Sequence, residues 1–480
     1  MLFPTLIFHA FFLCVFALIW SCRDNEWRKI LLLVASWIFY GYWDWRFVAL
    51  LIASGVGNWF LAHVIIAARA RDGKSDEDEN ERASRVTKAC LVLGVVLNLC
   101  VLGFFKYYGF FLEQIDVVLR AAGWQRDMAI MSVILPIGVS FFTFQGMSYL
   151  IDIYKRRTEP ASLLDLMLLM SFFPHLVAGP IVRASHLVPQ FQSIPVLTRS
   201  MAATGIALIV WGLFKKTVIA SQLATDFVDP VFFDPSTHSS LDLLLAAWGY
   251  AVQIYCDFSA YSDMAIGLAA LLGYRFPWNF RQPYRATSLQ DFWRRWHISL
   301  SQWLRDYLYI SLGGNRHGKV RMYIALSMTM LLGGLWHGAS WNFVIWGALH
   351  GFGLALERIW REWRPTSWPA MPQWLALVCT FHFVTLAWIF FRADQFSTAA
   401  SYVSGILALR GGTLSATPLA VLLIVLGLSL NRLRPDAIER TGARLRTLPA
   451  YQVAALGALA LVLLEAMAPE GVAPFIYYRF

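Results

Sequence analysis

The chain alternates long apolar runs with short polar connections. Clear runs cover 2–20, 47–68, 130–151, 200–214, 241–274, 322–356, 374–391 and 453–467, and many approach or exceed the roughly 20 residues that carry a helix across a bilayer. The pattern predicts an all-α polytopic membrane protein with about ten to thirteen membrane segments, several of them short or broken. The run 322–356 contains no Asp, Glu, Lys or Arg, yet it carries His337 and His350.

Composition strengthens this reading. Of 480 residues, 58% are hydrophobic and 15% charged, and the mean hydropathy is +0.54. The net charge of +10 does not indicate a nucleic-acid partner, because there is no soluble basic domain to carry it. The charge clusters in connections instead: Arg23, Arg28 and Lys29; then Arg69, Arg71, Lys74, Arg82, Arg85 and Lys88; then Lys155, Arg156 and Arg157. Placing these three in the cytoplasm puts the N-terminus outside, together with the poorer 41–46 and 106–127 connections. The stretch "RARDGKSDEDENERASRVTK" from Arg69 reads as a solvated cytoplasmic loop of mixed sign. The first apolar run has no basic n-region and no small-residue cleavage site after it, so it reads as a retained helix.

The six cysteines show neither CxxC nor metal-ligand spacing and read as free thiols; no metal site is expected. No fixed-period repeat or low-complexity tract divides the chain, which reads as one membrane domain over 1–480.

Three stretches depart from plain spanning helices. "MSFFPHLVAGPIVRASHLVPQF" places Pro174, Gly179, Pro180 and Pro189 close together, so no uninterrupted helix runs through it. It reads as a re-entrant segment lining a cavity, or as a loop at the interface. "YCDFSAYSDMAIGLA" sets Asp257 and Asp263 in an apolar helix. Six residues turn a helix by about 240°, so the two carboxylates do not share a face. This argues against a paired acid/base site, and bonding to basic residues on neighbouring helices is the simpler role.

The third stretch, "YRFPWNFRQPYRATSLQDFWRRWHISLSQWLRDYLYISLGGNRHGKVR", is densely basic and aromatic. Ser288 with Asp291 forms an N-cap signature, and Gly313–Gly314 a stop, so the pattern predicts a helix over 289–312. Its arginines suit either anionic headgroups or a polyanionic cofactor entering from the cytoplasm.

If 331–351 is helical, His337 and His350 point about 220° apart and do not chelate together. Gly333, Gly334 and Gly338 let a backbone or a thin ligand approach the turn that holds His337. A neutral imidazole there can accept a proton from a hydroxyl or thiol, or serve as a packed core group.

The segments "DFWRRWHISLSQWLRDYLYISLGG", "GGLWHGASWNFVIWGALHG", "LPIGVSFFTFQGMSYLIDIYKRR", "FFPHLVAGPI", "YCDFSAYSDMAIG" and "WIFFRA" resemble the membrane-bound O-acyltransferases, specifically their bacterial branch of alginate O-acetyltransferases and D-alanyl transfer proteins. The similarity covers roughly 1–400 in order, and little after 411 matches. The resemblance implies a ring of helices with re-entrant segments around a central tunnel. It implies that His337 of the W-H-G motif is catalytic and that His297 of R-W-H-x-S-L-S is a second functional residue. His350 carries no family role and is left as packing. The implied donor is acetyl-coenzyme A, bound as substrate with no tightly held cofactor; D-alanyl from a carrier protein is the alternative. Arg294, Arg316 and Arg321 are expected to hold the donor's phosphates.

Implied partners are the bilayer, an extracytoplasmic polysaccharide such as alginate and a periplasmic acetyltransferase, in the inner membrane of a bacterium. No G-x-S-x-G elbow is present, which favours direct transfer over a serine acyl-enzyme. A transporter or a scaffold of a polysaccharide export complex are the other classes; no repeated halves support the transporter.

Overall fold

The computed structural model describes residues 1, 3–71, 77–124, 131, 133–365 and 367–467. Among the described residues every regular element is helical. Four helices are long and apolar enough to cross a membrane by length and composition: Arg46–Ala70, Ser84–Ala121, Arg199–Phe233 and Gln373–Arg392. Leu6–Ser21, Pro418–Leu430 and Ala450–Ala466 are apolar but shorter. The all-α membrane class holds, with fewer long spans than the apolar runs suggested, because several runs are split or shortened. The chain forms two compact units, one of 1–197 with 269–276, the other of 198–268 with 277–480.

In the first unit, Arg46–Arg71, Glu77–Leu102 and Val139–Tyr154 pack together. A buried amide pair ties the first two: Asn98 Nδ2 donates to Asn58 Oδ1 at 2.9 Å. Away from water such a pair satisfies groups that would otherwise be costly to bury. Lys29 is likewise buried and meets Asp165 at 2.9 Å. The expected loop after Arg69 is shorter than its polarity suggested, because Glu77 already begins a helix; its centre, 72–76, lies outside the described residues. The 106–127 connection is also mostly helical: Tyr108–Ala121 continues the preceding helix through a wide turn at Gly103–Tyr107. Its amphipathic sequence, rather than a turn signal, decides this. Asp127 lies outside the described residues. The proline-rich stretch is broken as expected, into Leu163–Ser171, Phe173–Leu176 and Ala184–Gln192. It is buried within protein, with Phe172, Phe173, Leu176 and Ala178 fully enclosed.

In the second unit the wide-turn segment Lys215–Ser221, which continues Arg199–Phe214, is joined to Ser240–Leu271 by two buried ion pairs. Lys215 Nζ lies 2.7 Å from Asp263 Oδ2 and 2.7 Å from Ser259 Oγ, and Lys216 Nζ lies 2.8 Å from Asp257 Oδ1. The aspartates thus anchor neighbouring helical segments, the role their angular separation left open. The apolar run 322–356 is not one helix. Lys319–His337 ends at its histidine, Gly338 to Ser340 are extended, and Trp341–Trp363 turns back as a hairpin partner. Gly334 and Gly347 make this close approach possible: a Cβ on Gly334 would meet Phe343 O, and one on Gly347 would meet Met330 O. A second backbone, not a ligand, therefore occupies the space beside Gly334. Similarly, 289–312 is not one helix but Leu289–Arg295, Ile298–Trp303 and a wide-turn segment, Leu304–Tyr309. The Ser288 cap forms as expected, its Oγ accepting from Asp291 N at 3.0 Å.

A candidate active site around two buried histidines

His297 occupies the break between Leu289–Arg295 and Ile298–Trp303, with φ 41° and ψ 57°. A left-handed backbone at a residue other than glycine costs roughly 1–3 kcal/mol and persists only where its surroundings over-determine it. Asn279 provides that determination. Its carbonyl accepts from Ile298 N at 2.9 Å, and its side-chain oxygen accepts from Ser299 N at 3.2 Å and Ser299 Oγ at 2.9 Å. Its amide donates in turn to Ser262 Oγ at 3.1 Å. The clamp delivers the His297 side chain into full burial against Phe258, with ring centroids 4.6 Å apart, and Trp336, at 5.9 Å. Among the described residues neither ring nitrogen has a hydrogen-bond partner. A neutral imidazole presents one N–H donor and one acceptor nitrogen, so both capacities are unused.

His337 is the last residue of its helix and only 3% exposed. Its ring packs edge-to-face on Trp346 at 5.0 Å and on Phe391 at 5.2 Å, and beside Trp336 at 5.0 Å. Gly338 allows this crowding, since a Cβ there would overlap the Phe343 ring. Trp336 thus touches both histidines. Trp346 continues the series to His350, at 4.8 Å. The two motif histidines are brought to one aromatic core, with the His337 imidazole and the His297 ring on a common wall, Trp336. Such a pair can take a proton from a hydroxyl and offer an N–H to a developing oxyanion. Among the described residues no His, Cys, Asp and Glu group suits a metal ion.

Near this core lies a cavity of about 620 Å³. Trp293, Ile298, Leu304 and Met330 line it toward the aromatic core, and Arg294, Arg305, Arg358 and Arg361 with Glu357 and Glu362 give it charge. Of the three arginines singled out from sequence, Arg294 lines this cavity. Arg321 faces a separate, mostly apolar recess with Leu312, His317 and Val320. Arg316 lines neither; its amide bonds to Gly313 O at 3.1 Å. Arg358 and Arg361, from Trp341–Trp363, went unnoticed in sequence because they follow the charge-free run. The only hint is their spacing from Glu362 and Glu357, i,i+4 pairs at 3.4 and 2.5 Å. Asn279 and the tryptophan walls were missed as well; the aromatic density of "WIFFRA", which supplies Trp388 and Phe391, was the available signal.

Comparison with known proteins shows the family. Residues 38–394 match the profile of the MBOAT family, membrane-bound O-acyltransferases. The chain belongs to the membrane-bound O-acyltransferase family. A probable alginate O-acetylase of Pseudomonas aeruginosa is 42% identical over 83% of this chain and 73% of its own length. A peptidoglycan O-acetyltransferase of Helicobacter pylori is 37% identical over 84% of this chain and 78% of its own. A teichoic acid D-alanyltransferase of Bacillus subtilis is 30% identical over 54% of this chain and 69% of its own. The protein is therefore a membrane acyltransferase, and the matched span contains His297, His337, Trp346 and the cavity.

Proposed function

We propose that this membrane-bound O-acyltransferase transfers acetyl from cytoplasmic acetyl-coenzyme A for the O-acetylation of an extracytoplasmic polysaccharide, across the inner membrane of a bacterium. The observation that carries the reading is the pair of buried imidazoles, His297 and His337, on one tryptophan ring, with both nitrogens of His297 unpartnered. The alginate O-acetylase and peptidoglycan O-acetyltransferase relatives support acetyl and a polymer acceptor, reached directly or through a periplasmic acetyltransferase.

In this mechanism His337 takes the proton from the acceptor hydroxyl as its oxygen attacks the thioester carbonyl. The C–O bond forms and the carbonyl electrons move to oxygen, where the N–H of His297 stabilises the oxyanion. The tetrahedral intermediate then collapses, the C–S bond breaks, and the imidazolium of His337 returns the proton to the leaving thiolate. D-alanyl from a carrier protein is the second reading, favoured by the teichoic acid D-alanyltransferase likeness.

The test is acetyl transfer in membrane vesicles given radiolabelled acetyl-coenzyme A on the cytoplasmic face, with parent and His337→Ala protein at matched levels. Label in extracytoplasmic ester that disappears in the variant is expected. Ester formation at the parent rate in the variant would remove His337 from the mechanism, and an unlabelled product in the parent would remove acetyl-coenzyme A.

A further inference from the structure

His350 was set aside as packing, and its surroundings argue otherwise. Its side chain is fully buried, and among the described residues neither ring nitrogen has a hydrogen-bond partner. The rings of Phe292, Trp293, Trp346, Phe383 and Trp388 enclose it at centroid distances of 4.8–6.5 Å. Among these rings, Trp293 and Trp346 hold buried indole N–H groups with no acceptor among the described residues. If packing were the whole role, an aromatic ring of carbon would fill the space without leaving polar atoms unsatisfied. The unused N–H groups of His350, Trp293 and Trp346, with the unused acceptor nitrogen of the imidazole beside them, are complementary to a ligand that brings amide groups on an otherwise apolar stem.

The position of the cage says where such a ligand would come from. Trp293 lines the 620 Å³ cavity and stacks edge-on to His350 at 5.1 Å. Trp346 contacts His350 on one side and His337 on the other, at 4.8 and 5.0 Å. His350 is thus one ring from the charged cavity and one ring from His337. We propose that His350 is a donor-binding residue: its imidazole hydrogen-bonds a carbonyl oxygen on the amide-bearing arm of an acyl thioester, which reaches from the cavity past Trp293 toward His337. The assignment rests on the acyl-thioester reading above, but not on whether the arm is borne by coenzyme A or by a carrier protein. The arginine-bearing cavity suits the charged end of either donor, and the aromatic cage suits the arm.

The decisive probe is S-acetylpantetheine, which carries the arm and the thioester without a nucleotide or a carrier. Its binding is measured by titration calorimetry on the purified full-length protein, parent and His350→Phe, alongside thermal melting. The expected result is that His350→Phe melts at or above the parent and binds the probe tenfold or more weakly, about 1.4 kcal/mol. His350→Gln, which keeps a donor and an acceptor, should recover part of the loss. If the Phe ring proves too large and that variant melts low, His350→Met carries the same test with a side chain that adapts to the cage. An apolar variant that folds and binds the probe as well as the parent overturns the assignment, as does a parent that does not bind the arm. Acetyl-coenzyme A titrated in parallel separates the two readings. A parent that binds the arm through His350 but gains nothing from the nucleotide overturns coenzyme A as donor and leaves His350 in place. Tight coenzyme A binding unaffected by either variant does the reverse.

Discussion

Gly347 lies so close to Met330 that a Cβ on the glycine would collide with the carbonyl oxygen of the methionine. The same contact, with its counterpart at Gly334, sets how near Lys319–His337 and Trp341–Trp363 approach, and so where His337 ends its helix. Gly347→Ala is expected to push the hairpin apart, at a cost of about 1–3 kcal/mol by overpacking, and to lower acyl transfer along with the melting temperature. An alanine variant with parental melting and activity would show that the hairpin tolerates a wider separation.

The pair of Lys215 and Asp263 is expected to matter for folding rather than for chemistry. Their side chains are 3% and 13% exposed and 2.7 Å apart, so removing the lysine leaves a buried carboxylate without its cation. Breaking a buried pair from one side costs about 3–5 kcal/mol, whereas replacing both partners by apolar groups is often neutral. Lys215→Ala should therefore reduce folded protein and melting temperature strongly, and the double change Lys215→Met, Asp263→Leu should restore most of both. Failure of the double variant to improve on the single one would mean that the charges serve the site and not only the helix contact.

At His297 the backbone and the side chain can be separated. Asparagine tolerates the left-handed conformation better than most residues, so His297→Asn should melt close to the parent yet lose acyl transfer. Asn279→Ala keeps the imidazole but removes the acceptor of Ser299 N and Oγ that fixes the backbone beside it, at about 1–3 kcal/mol for the stranded groups. Activity per folded molecule should fall at least tenfold as the clamp loosens. Parental turnover in Asn279→Ala would show that the aromatic walls alone hold the ring.

These cases also mark what the chain's pattern reveals and what it hides. The Ser288 cap, the break at Gly179 and Pro180 and the divergent aspartates act locally, and each is readable from a few neighbouring residues. The break at His297 is not, because "DFWRRWHISL" contains no glycine or proline; the conformation is imposed by Asn279, twenty residues from Ser299 in sequence. The turn after His337 had a local signal in Gly338, but a run without charge concealed it, since hydropathy does not register a reversal between two equally apolar helices. The motif histidines could be picked out singly, yet their shared wall, Trp336, and the continuation through Trp346 to His350 depend on how three helices pack. The arginines show the same limit: density in sequence grouped Arg294 with Arg316 and Arg321, whereas folding groups it with Arg358 and Arg361.

That regrouping yields the last prediction. Arg294 and Arg361 both line the 620 Å³ cavity, and Arg361 is held by Gln290 at 3.1 Å and Glu357 at 2.5 Å. Glu357 also accepts from Leu289 N at 2.7 Å, so the cavity's charge is tied to the start of the helix that carries Trp293. If the cavity receives a polyanionic donor, each charge-assisted contact is worth roughly 1.5–3 kcal/mol, and Arg294→Gln or Arg361→Gln should weaken acetyl-coenzyme A binding tenfold or more. Arg316→Gln, outside the cavity, should leave it unchanged. Because these guanidinium groups are exposed, donor affinity in the parent should also fall as salt rises, with screening lengths of about 10 Å at 0.1 M, and the salt dependence should flatten in both cavity variants. Headgroup anchoring makes a different forecast: all three glutamine variants would lose stability in lipid while binding the donor as the parent does. Titration of acetyl-coenzyme A at two salt concentrations, set beside melting in the same lipid, distinguishes the two, and equal donor affinity in all four proteins would detach the cavity from the donor.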